Sequence, residues 1–282
     1  MGRVADDTPW GDLDRPPLNA AALRRALVTP TGWASVEVVA DTGSTNADLL
    51  EATRAGAQDR TVLVAEHQGT GRGRHTRTWS SPPRAGLTLS VLLRTTGVPV
   101  ARLGWLPLLA GVALVDVLRR VAEVDAALKW PNDVLIGGRK VAGILAEVAA
   151  TTPEPAVVLG IGLNVSLRFE ELPVPEATSL VLAGAALTDR DPLVRALLRE
   201  LADRERDWRA AGGDPAAGLA QDYRARCATL GEDVRVLLPH GAELLGRAVR
   251  VDDDGRLVVR DGAGTEHVLS AGDVTHVRLA AR

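Results

Sequence analysis

Apolar and polar residues alternate over short stretches along most of this chain, and longer amphipathic stretches separate the alternating runs. Period-two alternation predicts half-buried strands, whereas apolar positions three or four residues apart predict helices. Strands are predicted at residues 35–40, 61–66, 87–94, 126–130, 134–136, 140–148 and 156–165. Helices are predicted at residues 20–27, 45–54, 102–121, 191–210 and 216–228. A Gly-Gly pair at 137–138 predicts a tight hairpin between two of the strands.

The pattern changes after residue 230, where short Val- and Leu-rich runs alternate with turn sequences. These turns fall at 239–241, 252–255, 261–264 and 271–273. Strands at this spacing predict a small antiparallel barrel of about fifty residues. We therefore predict a lead at 1–33 that is too short for a domain, a main domain at 34–230 and a small C-terminal domain at 231–282.

Composition narrows the class of protein. With 282 residues, 46% of them hydrophobic, the chain can bury a sizeable core. A net charge of −3 gives no global attraction to nucleic acid or an anionic membrane, and the longest apolar run, 105–115, is too short to span a bilayer. The single cysteine, Cys227, excludes an internal disulfide, and the N-terminus lacks the apolar stretch of a signal peptide. These features predict a cytoplasmic protein.

Only two of the 33 basic residues are lysines, Lys129 and Lys140. A lysine retained where arginine otherwise supplies every positive charge suggests a task that needs a compact ammonium, although chance is the alternative. Lys140 begins an apolar strand, so its ammonium would be partly desolvated. Such a lysine pairs with an anion or has a lowered pKa, unless it lies at a sheet edge and reaches water.

A polar loop after the strand at 61–66 combines three glycines (Gly69, Gly71, Gly73) with three arginines (Arg72, Arg74, Arg77). Glycine allows the backbone to approach a ligand closely, and arginine binds phosphate or carboxylate. The composition predicts a loop that orders around an anion, and a solvated surface loop is the alternative. The P-loop and dinucleotide-binding motifs do not fit, because the loop lacks lysine and continues into prolines rather than a helix.

Three further segments place polar residues or glycines next to strands. Asp41-Thr-Gly-Ser-Thr-Asn46 reads as a helix N-cap, and a helix N-terminus can also bind a polar ligand. Lys129-Trp-Pro-Asn-Asp133 is either a plain strand exit or a turn that positions a nucleotide; Asp133 has no other carboxylate at metal-site spacing. Gly160-Ile-Gly-Leu-Asn164 predicts either a sheet bend or close approach to the strand by a neighbour or ligand.

The order of these motifs, followed by Arg-Lys-Val-Ala-Gly-Ile-Leu-Ala-Glu147 and Ala-Thr-Ser-Leu180, resembles biotin protein ligase from about residue 35 to the C-terminus. The resemblance implies an α+β fold, with a central mixed sheet, flanking helices and an SH3-like C-terminal barrel. It also implies ATP-dependent ligation of biotin, through biotinyl-5′-AMP and with Mg²⁺, to one lysine of a biotin carboxyl carrier domain of a carboxylase.

The resemblance also implies roles for individual residues. Lys140 would bridge the biotin carboxylate and the α-phosphate, and Arg72 would share the catalytic role. The expected biotin-binding residues are Ser44, Thr45, Asn46, Gln68, Gly71, Arg72, Gly73, Arg74, Lys140 and Gly143. The expected ATP and adenylate residues are Arg74, Trp79, Lys129, Asn132, Asp133 and Asn164. The family loop commonly continues as Arg-Gly-Arg where this chain has His75-Thr76-Arg77, so we expect a difference in loop mobility and in retention of the adenylate.

Two alternatives stay open at this point. A lipoate or octanoate ligase or transferase on a related fold would share the sheet and a key lysine, and a nucleic-acid-binding regulator would use the arginine loop. The N-terminal lead is too short for the winged helix of ligases that also act as repressors, so we expect a monofunctional enzyme that does not bind DNA. We expect a monomer or weak homodimer without membrane contact.

Overall fold

The computed structural model describes residues 14–74, 77–150, 154–238, 241–270 and 272–276. The helices are α1 (Ala20–Leu27), α2 (Thr45–Arg54), α3 (Leu106–Val121), α4 (Arg190–Ala210) and α5 (Leu219–Arg226). The first strands are β1 (Ser35–Thr42), β2 (Thr61–Gln68), β3 (Gly86–Arg94), β4 (Ala126–Lys129), β5 (Asp133–Ile136), β6 (Arg139–Ala150) and β7 (Ala156–Asn164). The remaining strands are β8 (Asp233–Leu237), β9 (Glu243–Val251), β10 (Leu257–Arg260), β11 (Glu266–Leu269) and β12 (Asp273–His276).

Every predicted element is present, and two helices differ in where they begin. The predicted helix at 102–121 is a 3₁₀ turn, Val100–Trp105, followed by α3, because Pro107 lacks an N–H and fits only the first turn of an α-helix. The last predicted helix begins at Leu219, since the preceding Gly218 has a φ of 127°, which a helix does not accommodate.

Seven strands form one mixed sheet in the order β1-β2-β3-β7-β6-β5-β4. β1 and β2 are parallel, and all the other neighbouring pairs are antiparallel. The hairpin predicted at Gly137–Gly138 joins β5 to β6, and both glycines have positive φ. The structure therefore confirms the expected central mixed sheet.

Alternation along β3 separates the two faces of this sheet. Leu87, Leu89, Val91 and Leu93 belong to the main core, which also contains α1, α3 and α4. Leu92 belongs to a second cluster with Leu49 of α2 and Val158 of β7. Since successive side chains of a strand point to opposite faces, Thr88 and Ser90 lie on the α2 face. Polar groups therefore collect on the face that carries α2.

The described part of the N-terminal lead is built into the main domain. Leu23 and Leu27 of α1 are fully buried in the main core. The Leu18 amide donates to Glu66 Oε1 over 2.6 Å, and Arg190 pairs with the other Glu66 oxygen over 2.5 Å. This buried pair fixes the chain before α1 against the end of β2. Residues 1–13 of the predicted lead lie outside the described residues.

Five antiparallel strands form the C-terminal unit in the order β11-β10-β9-β8-β12. Two buried tryptophans of the main domain hold its turn at 252–255: Trp105 Nε1 donates to the Asp253 carbonyl over 2.9 Å, and Trp130 Nε1 donates to the Gly255 carbonyl over 3.0 Å. Apolar residues of this unit, among them Val234, Val251 and Val259, continue the main core. The C-terminal unit is thus packed firmly against the larger sheet.

The segment Val100–Val121 is long and apolar enough by composition to cross a membrane, but 67% of its most apolar window is buried inside the protein. Gly111 of α3 allows close packing on the sheet, because a Cβ there would lie 2.7 Å from Leu128 Cδ2. The segment has the placement of a core helix.

Candidate active site

A cavity of about 220 Å³ opens on the α2 face of the central sheet, between the glycine-arginine loop and β12 of the C-terminal unit. Thirteen of the expected site residues line it, from four separate motifs. They are Ser44, Thr45, Asn46, Gln68, Arg72, Gly73, Arg74, Trp79, Lys129, Asn132, Asp133, Lys140 and Gly143. Gly71 and Asn164 do not line this cavity.

The N-terminus of α2 forms one end of the cavity. Ser44 caps the helix, because its hydroxyl accepts a hydrogen bond from the Ala47 amide over 3.5 Å. The Thr45 amide and hydroxyl both donate to Gln68 Oε1, over 2.8 and 2.9 Å. Thr45 Oγ1 also lies 2.7 Å from Ser90 Oγ of β3. The structure confirms the helix cap, and the motif also forms part of the cavity wall, where a polar-ligand role stays a prediction.

The side-chain amide of Asn46 has a fixed orientation. Its Nδ2 donates to Glu147 Oε2 over 2.8 Å, and its Oδ1 accepts from Ser90 Oγ over 2.6 Å. The amide lies directly on β7, where a Cβ at Gly160 would come within 2.2 Å of Asn46 Oδ1. Glycine at 160 therefore makes room for Asn46, as the predicted close approach requires.

The glycine-arginine loop is a short hairpin in the structure. Arg72 and Thr78 form an isolated antiparallel bridge, and the Gly73 amide donates to the Arg77 carbonyl over 2.8 Å. The Trp79 amide donates to the Gly71 carbonyl over 2.9 Å, and a Cβ at Gly71 would lie 2.3 Å from the Trp79 carbonyl oxygen. Gly71 therefore closes the hairpin base rather than lining the cavity. His75 and Thr76, where the loop departs from the family pattern, lie outside the described residues.

The arginines of the hairpin contact both the central sheet and the C-terminal unit. Arg72 Nη1 lies 3.4 Å from Glu147 Oε1, and Arg77 Nη2 lies 2.5 Å from Asp273 Oδ2 of β12. Arg74 Nη1 donates weakly to Asn132 Oδ1 over 3.3 Å, and burial lowers the pKa of its guanidinium, with Asp273 acting in the opposite direction. The hairpin is thus held between the central sheet and the C-terminal unit.

The two lysines lie on β4 and β6, the two strands that flank β5 in the sheet. Lys140 Nζ is 2.6 Å from Asp133 Oδ1, so the desolvated lysine is paired with an anion, as the sequence suggested. Burial lowers the pKa of the Lys129 ammonium, Asp133 opposes this shift, and nearby Lys140 adds to it. The register places Lys129 opposite Asp133 at the β4–β5 turn and Lys140 opposite Leu135 near the β5–β6 turn, and both lysines line the cavity.

Trp79 lies flat against two glycines of the sheet. A Cβ at Gly162 would come within 2.3 Å of the indole ring, and one at Gly143 within 3.4 Å. The indole N–H is buried and has no hydrogen-bond partner among the residues that the structure describes, so it is available to a ligand acceptor. Asn164 is buried at the end of β7, the strand that carries Gly162, where its Nδ2 donates to the Thr178 carbonyl over 3.0 Å. Its amide therefore supports the 177–180 segment, a placement that the expected nucleotide role did not include.

The cavity is suited to binding anions. Five basic side chains among its described lining residues (Arg72, Arg74, Arg77, Lys129 and Lys140) outnumber two carboxylates, Asp133 and Asp273. This excess is local, because the whole chain has a net charge of −3. Within the described ranges, no group of three or more His, Cys, Asp or Glu could hold a metal ion by protein ligands alone.

Family comparison agrees with this geometry. Residues 38–164 match the biotin/lipoate A/B protein ligase family, and residues 229–277 match the biotin protein ligase C-terminal domain. The chain is 50% identical over 272 residues to the biotin–[acetyl-CoA-carboxylase] ligase of Mycobacterium tuberculosis (strain ATCC 25618 / H37Rv), an alignment that covers 95% of this chain and 98% of the relative. The chain belongs to the biotin protein ligase family.

Other biotin protein ligases are similar over most of their length. The biotin–[acetyl-CoA-carboxylase] ligase of Paracoccus denitrificans is 35% identical, with 84% of this chain and 98% of the relative aligned. The solved structure of the Aquifex aeolicus biotin protein ligase in complex with biotin and ATP superposes with a TM-score of 0.73 at 26% identity, covering 87% of this chain and all of that one. The solved structure of the Leishmania major biotin protein ligase in complex with biotinyl-5-AMP superposes with a TM-score of 0.56 at 26% identity. The superposition covers 84% of this chain and 99% of that one.

Three residues of the ligase site were missed by sequence reasoning. Ser90 and Glu147 hold Asn46, and Asp273 holds Arg77. Ser90 and Thr88 are the two hydroxyl residues of an apolar strand, and their spacing of two, which puts them on one face, was the available signal. Glu147 ends a quoted motif but is separated from Asn46 by a hundred and one residues, and Asp273 lies in another unit. No local pattern indicates such long-range pairs.

Proposed function

We propose that this chain is a biotin–[biotin carboxyl carrier protein] ligase that joins biotin to a carrier lysine through biotinyl-5′-AMP. The observation that carries the proposal is a single cavity that has a polar amide-and-hydroxyl corner at one end and a cluster of cations at the other. Full-length relatives and a ligase solved with biotin and ATP support the same reaction.

The first step joins two anions. A biotin carboxylate oxygen attacks the α-phosphorus of ATP, a P–O bond breaks, and pyrophosphate leaves. Cations placed between the reactants offset their repulsion and stabilise the charge that develops on the phosphate oxygens. Lys140 is the residue that we propose to bridge the carboxylate and the α-phosphate. In the structure its ammonium lies 2.6 Å from Asp133 Oδ1.

The biotin and nucleotide groups would occupy opposite parts of the cavity. We propose that Ser44, Thr45 and Asn46 meet the fused rings of biotin with Gln68 nearby, because their amides and hydroxyls are oriented by fixed partners. The adenosine would lie near Trp79, and its phosphates near Lys129 and Arg74. The resemblance to the ligase family suggests these assignments, and the presence of each side chain in the cavity lining supports them.

The second step uses a nucleophile from the partner. The neutral amine of a carrier lysine attacks the acyl carbonyl of the adenylate, an amide bond forms, AMP leaves, and the amine proton is released. The ligase needs no nucleophile of its own. Its hairpin, held by Arg72 and Arg77, would exclude water from the acyl phosphate until the carrier arrives.

Mg²⁺ would enter with ATP. Asp133 and Asp273 are the carboxylates that line the cavity, and Mg²⁺ commonly uses one or two carboxylates together with substrate phosphates. Asp133 and Asp273 fit this kind of Mg²⁺ binding, in which the ion would neutralise charge on the substrate phosphates. We further propose that the carrier belongs to an acetyl-CoA or acyl-CoA carboxylase, and that the enzyme acts in the cytoplasm as a monomer or weak homodimer without binding DNA.

Pyrophosphate release tests the proposal. With ATP and Mg²⁺, biotin should support release, whereas lipoate or octanoate should not, and biotin alone should raise the thermal midpoint of the protein. Release with lipoate but not biotin would assign the chain to the related lipoate reaction. Filter binding with a salt titration would test the proposed lack of DNA binding, because nonspecific DNA affinity falls steeply with salt.

A further inference from the structure

Glu147 of β6 connects two parts of the site that are otherwise separate. Its Oε2 accepts a hydrogen bond from Asn46 Nδ2 over 2.8 Å, and its Oε1 lies 3.4 Å from Arg72 Nη1. Asn46 belongs to α2, and Arg72 belongs to the hairpin. Glu147 does not itself line the cavity, so it acts through these two neighbours.

The contact with Asn46 sets the orientation of an amide in the cavity wall. Ser90 Oγ donates to Asn46 Oδ1, so the amide nitrogen must face the opposite way. That nitrogen meets two acceptors, Glu147 Oε2 and, at 3.3 Å, the Leu145 carbonyl. Because the Glu147 contact is shorter and charge-assisted, it is the stronger of the two. Its loss would free the amide to turn.

The contact with Arg72 is weak by itself. Arg72 is 50% exposed and Glu147 is 27% exposed, and an exposed pair of this kind contributes little to folding stability. The contact matters for the placement of the hairpin, because Arg72 is its first arginine and forms a bridge with Thr78 on the opposite side of the hairpin. Holding Arg72 against β6 keeps one side of the hairpin against the central sheet.

We propose that Glu147 is a positioning residue that couples closure of the hairpin to the biotin-binding orientation of Asn46. This inference rests on the proposed function. A carboxylate suits the task because both of its oxygens accept hydrogen bonds, so it serves both donors at once. A glutamine has one acceptor oxygen, and its NH₂ group would oppose either the Asn46 amide or the Arg72 guanidinium. The coupling therefore requires two acceptor oxygens, and the shape of the side chain alone is insufficient.

The test compares Glu147→Gln with Glu51→Gln, which removes an exposed carboxylate from α2, the helix that carries Asn46. Pyrophosphate release gives kcat and the KM values for biotin and ATP. Trypsin cleavage after the hairpin arginines, with and without biotin, reports closure. For Glu147→Gln we expect the KM for biotin to rise about tenfold or more, with a smaller change in the KM for ATP. Hairpin cleavage should be faster, and biotin should no longer slow it. Glu51→Gln should match the wild type.

Two results would overturn the inference. One is an unchanged KM for biotin with faster cleavage, which would leave Glu147 as a hairpin contact without coupling. The other is a wild-type cleavage rate in Glu147→Gln, with or without biotin. A wild-type enzyme that releases no pyrophosphate with biotin and ATP would instead reject the proposed function. Cleavage of the ligand-free variant would still test the Glu147–Arg72 contact.

Discussion

The Lys140 ammonium lies 2.6 Å from the Asp133 carboxylate, across the hairpin that joins β5 to β6. Asp133 also pairs in register with Lys129 at the β4–β5 turn. Burial lowers the pKa of the Lys129 ammonium, and the Asp133 carboxylate offsets part of this lowering. One carboxylate therefore serves the only two lysines of the chain. Substrate anions that enter the cavity must take over this role from Asp133.

Replacing Lys140 tests whether the site needs an ammonium. We expect both Lys140→Ala and Lys140→Arg to lower the rate of pyrophosphate release by about a hundredfold or more, the usual cost of losing a preorganised electrostatic group. The planar guanidinium of arginine cannot occupy the same point between two anions. Circular dichroism should show an intact fold. A near-normal rate for the arginine variant would contradict the assigned role.

Two glycines of β7 lie against residues to which we assign different substrates, Gly160 against Asn46 and Gly162 against Trp79. In Gly160→Ala the new methyl would lie 2.2 Å from Asn46 Oδ1, and in Gly162→Ala it would lie 2.3 Å from the Trp79 ring. Overpacking of this kind costs roughly 1–3 kcal/mol. We expect Gly160→Ala to raise mainly the KM for biotin and Gly162→Ala mainly the KM for ATP, each about tenfold. Gly262→Ala, in open space, is the control. If each variant raised the KM for biotin and the KM for ATP equally, the proposed separation of biotin and ATP along β7 would be disproved.

Lys129 should make ATP binding sensitive to alkaline pH. Burial lowers its pKa, and only the protonated ammonium attracts phosphate. Phosphate affinity is therefore present below the lowered pKa and is lost as pH rises through it, at a lower pH than for an exposed lysine. The groups that face Lys129 are Asp133, Lys140, Arg77 and Asp273. The KM for ATP should rise at alkaline pH in the wild type and much less in Lys129→Arg, whose guanidinium stays charged. An identical pH profile for the variant would exclude Lys129 as the titrating group.

Asp273 should help to retain the adenylate. It holds Arg77 at the hairpin tip from the C-terminal unit, but Arg77 is 63% exposed, so the pair is worth about 1 kcal/mol or less. We expect Asp273→Asn to speed release of labelled biotinyl-AMP by about two- to fivefold. Asp233→Asn removes a looser exposed pair with Arg247 in the same unit and should leave that rate unchanged. Equal release rates in the two variants would show that Arg77 does not hold the intermediate.

The sequence predicted the elements and most of the cavity wall, because both depend on local patterns. Ser44 as a cap of α2, the hairpin at Gly137–Gly138 and the close approach at Gly160 each follow from a few neighbouring residues. The clustering of Lys129 and Lys140 is likewise local, since only β5 and its two turns separate them along the chain.

The contacts that hold the site together could not be predicted in this way. Glu147 reaches Asn46 because β6 and β7 pair and α2 crosses them, which depends on strand order. Asp273 reaches Arg77 because Trp105 and Trp130 bind the turn at 252–255 and fix the position of the C-terminal unit. Asn164 Nδ2 donates to the Thr178 carbonyl, a contact between separate segments, and the nucleotide role of Asn164 stays a prediction. Tertiary packing decides each of these outcomes.

Transfer of biotin to a carrier tests the central claim most directly. The protein should be incubated with ATP, Mg²⁺, labelled biotin and a biotin carboxyl carrier domain, and the carrier should be analysed by mass spectrometry. The account predicts one biotinyl group on a single carrier lysine, with one AMP and one pyrophosphate formed for each group transferred, and no label on a carrier whose acceptor lysine is replaced. A carrier that stays unlabelled while the protein remains folded, or one labelled by lipoate in place of biotin, would contradict it.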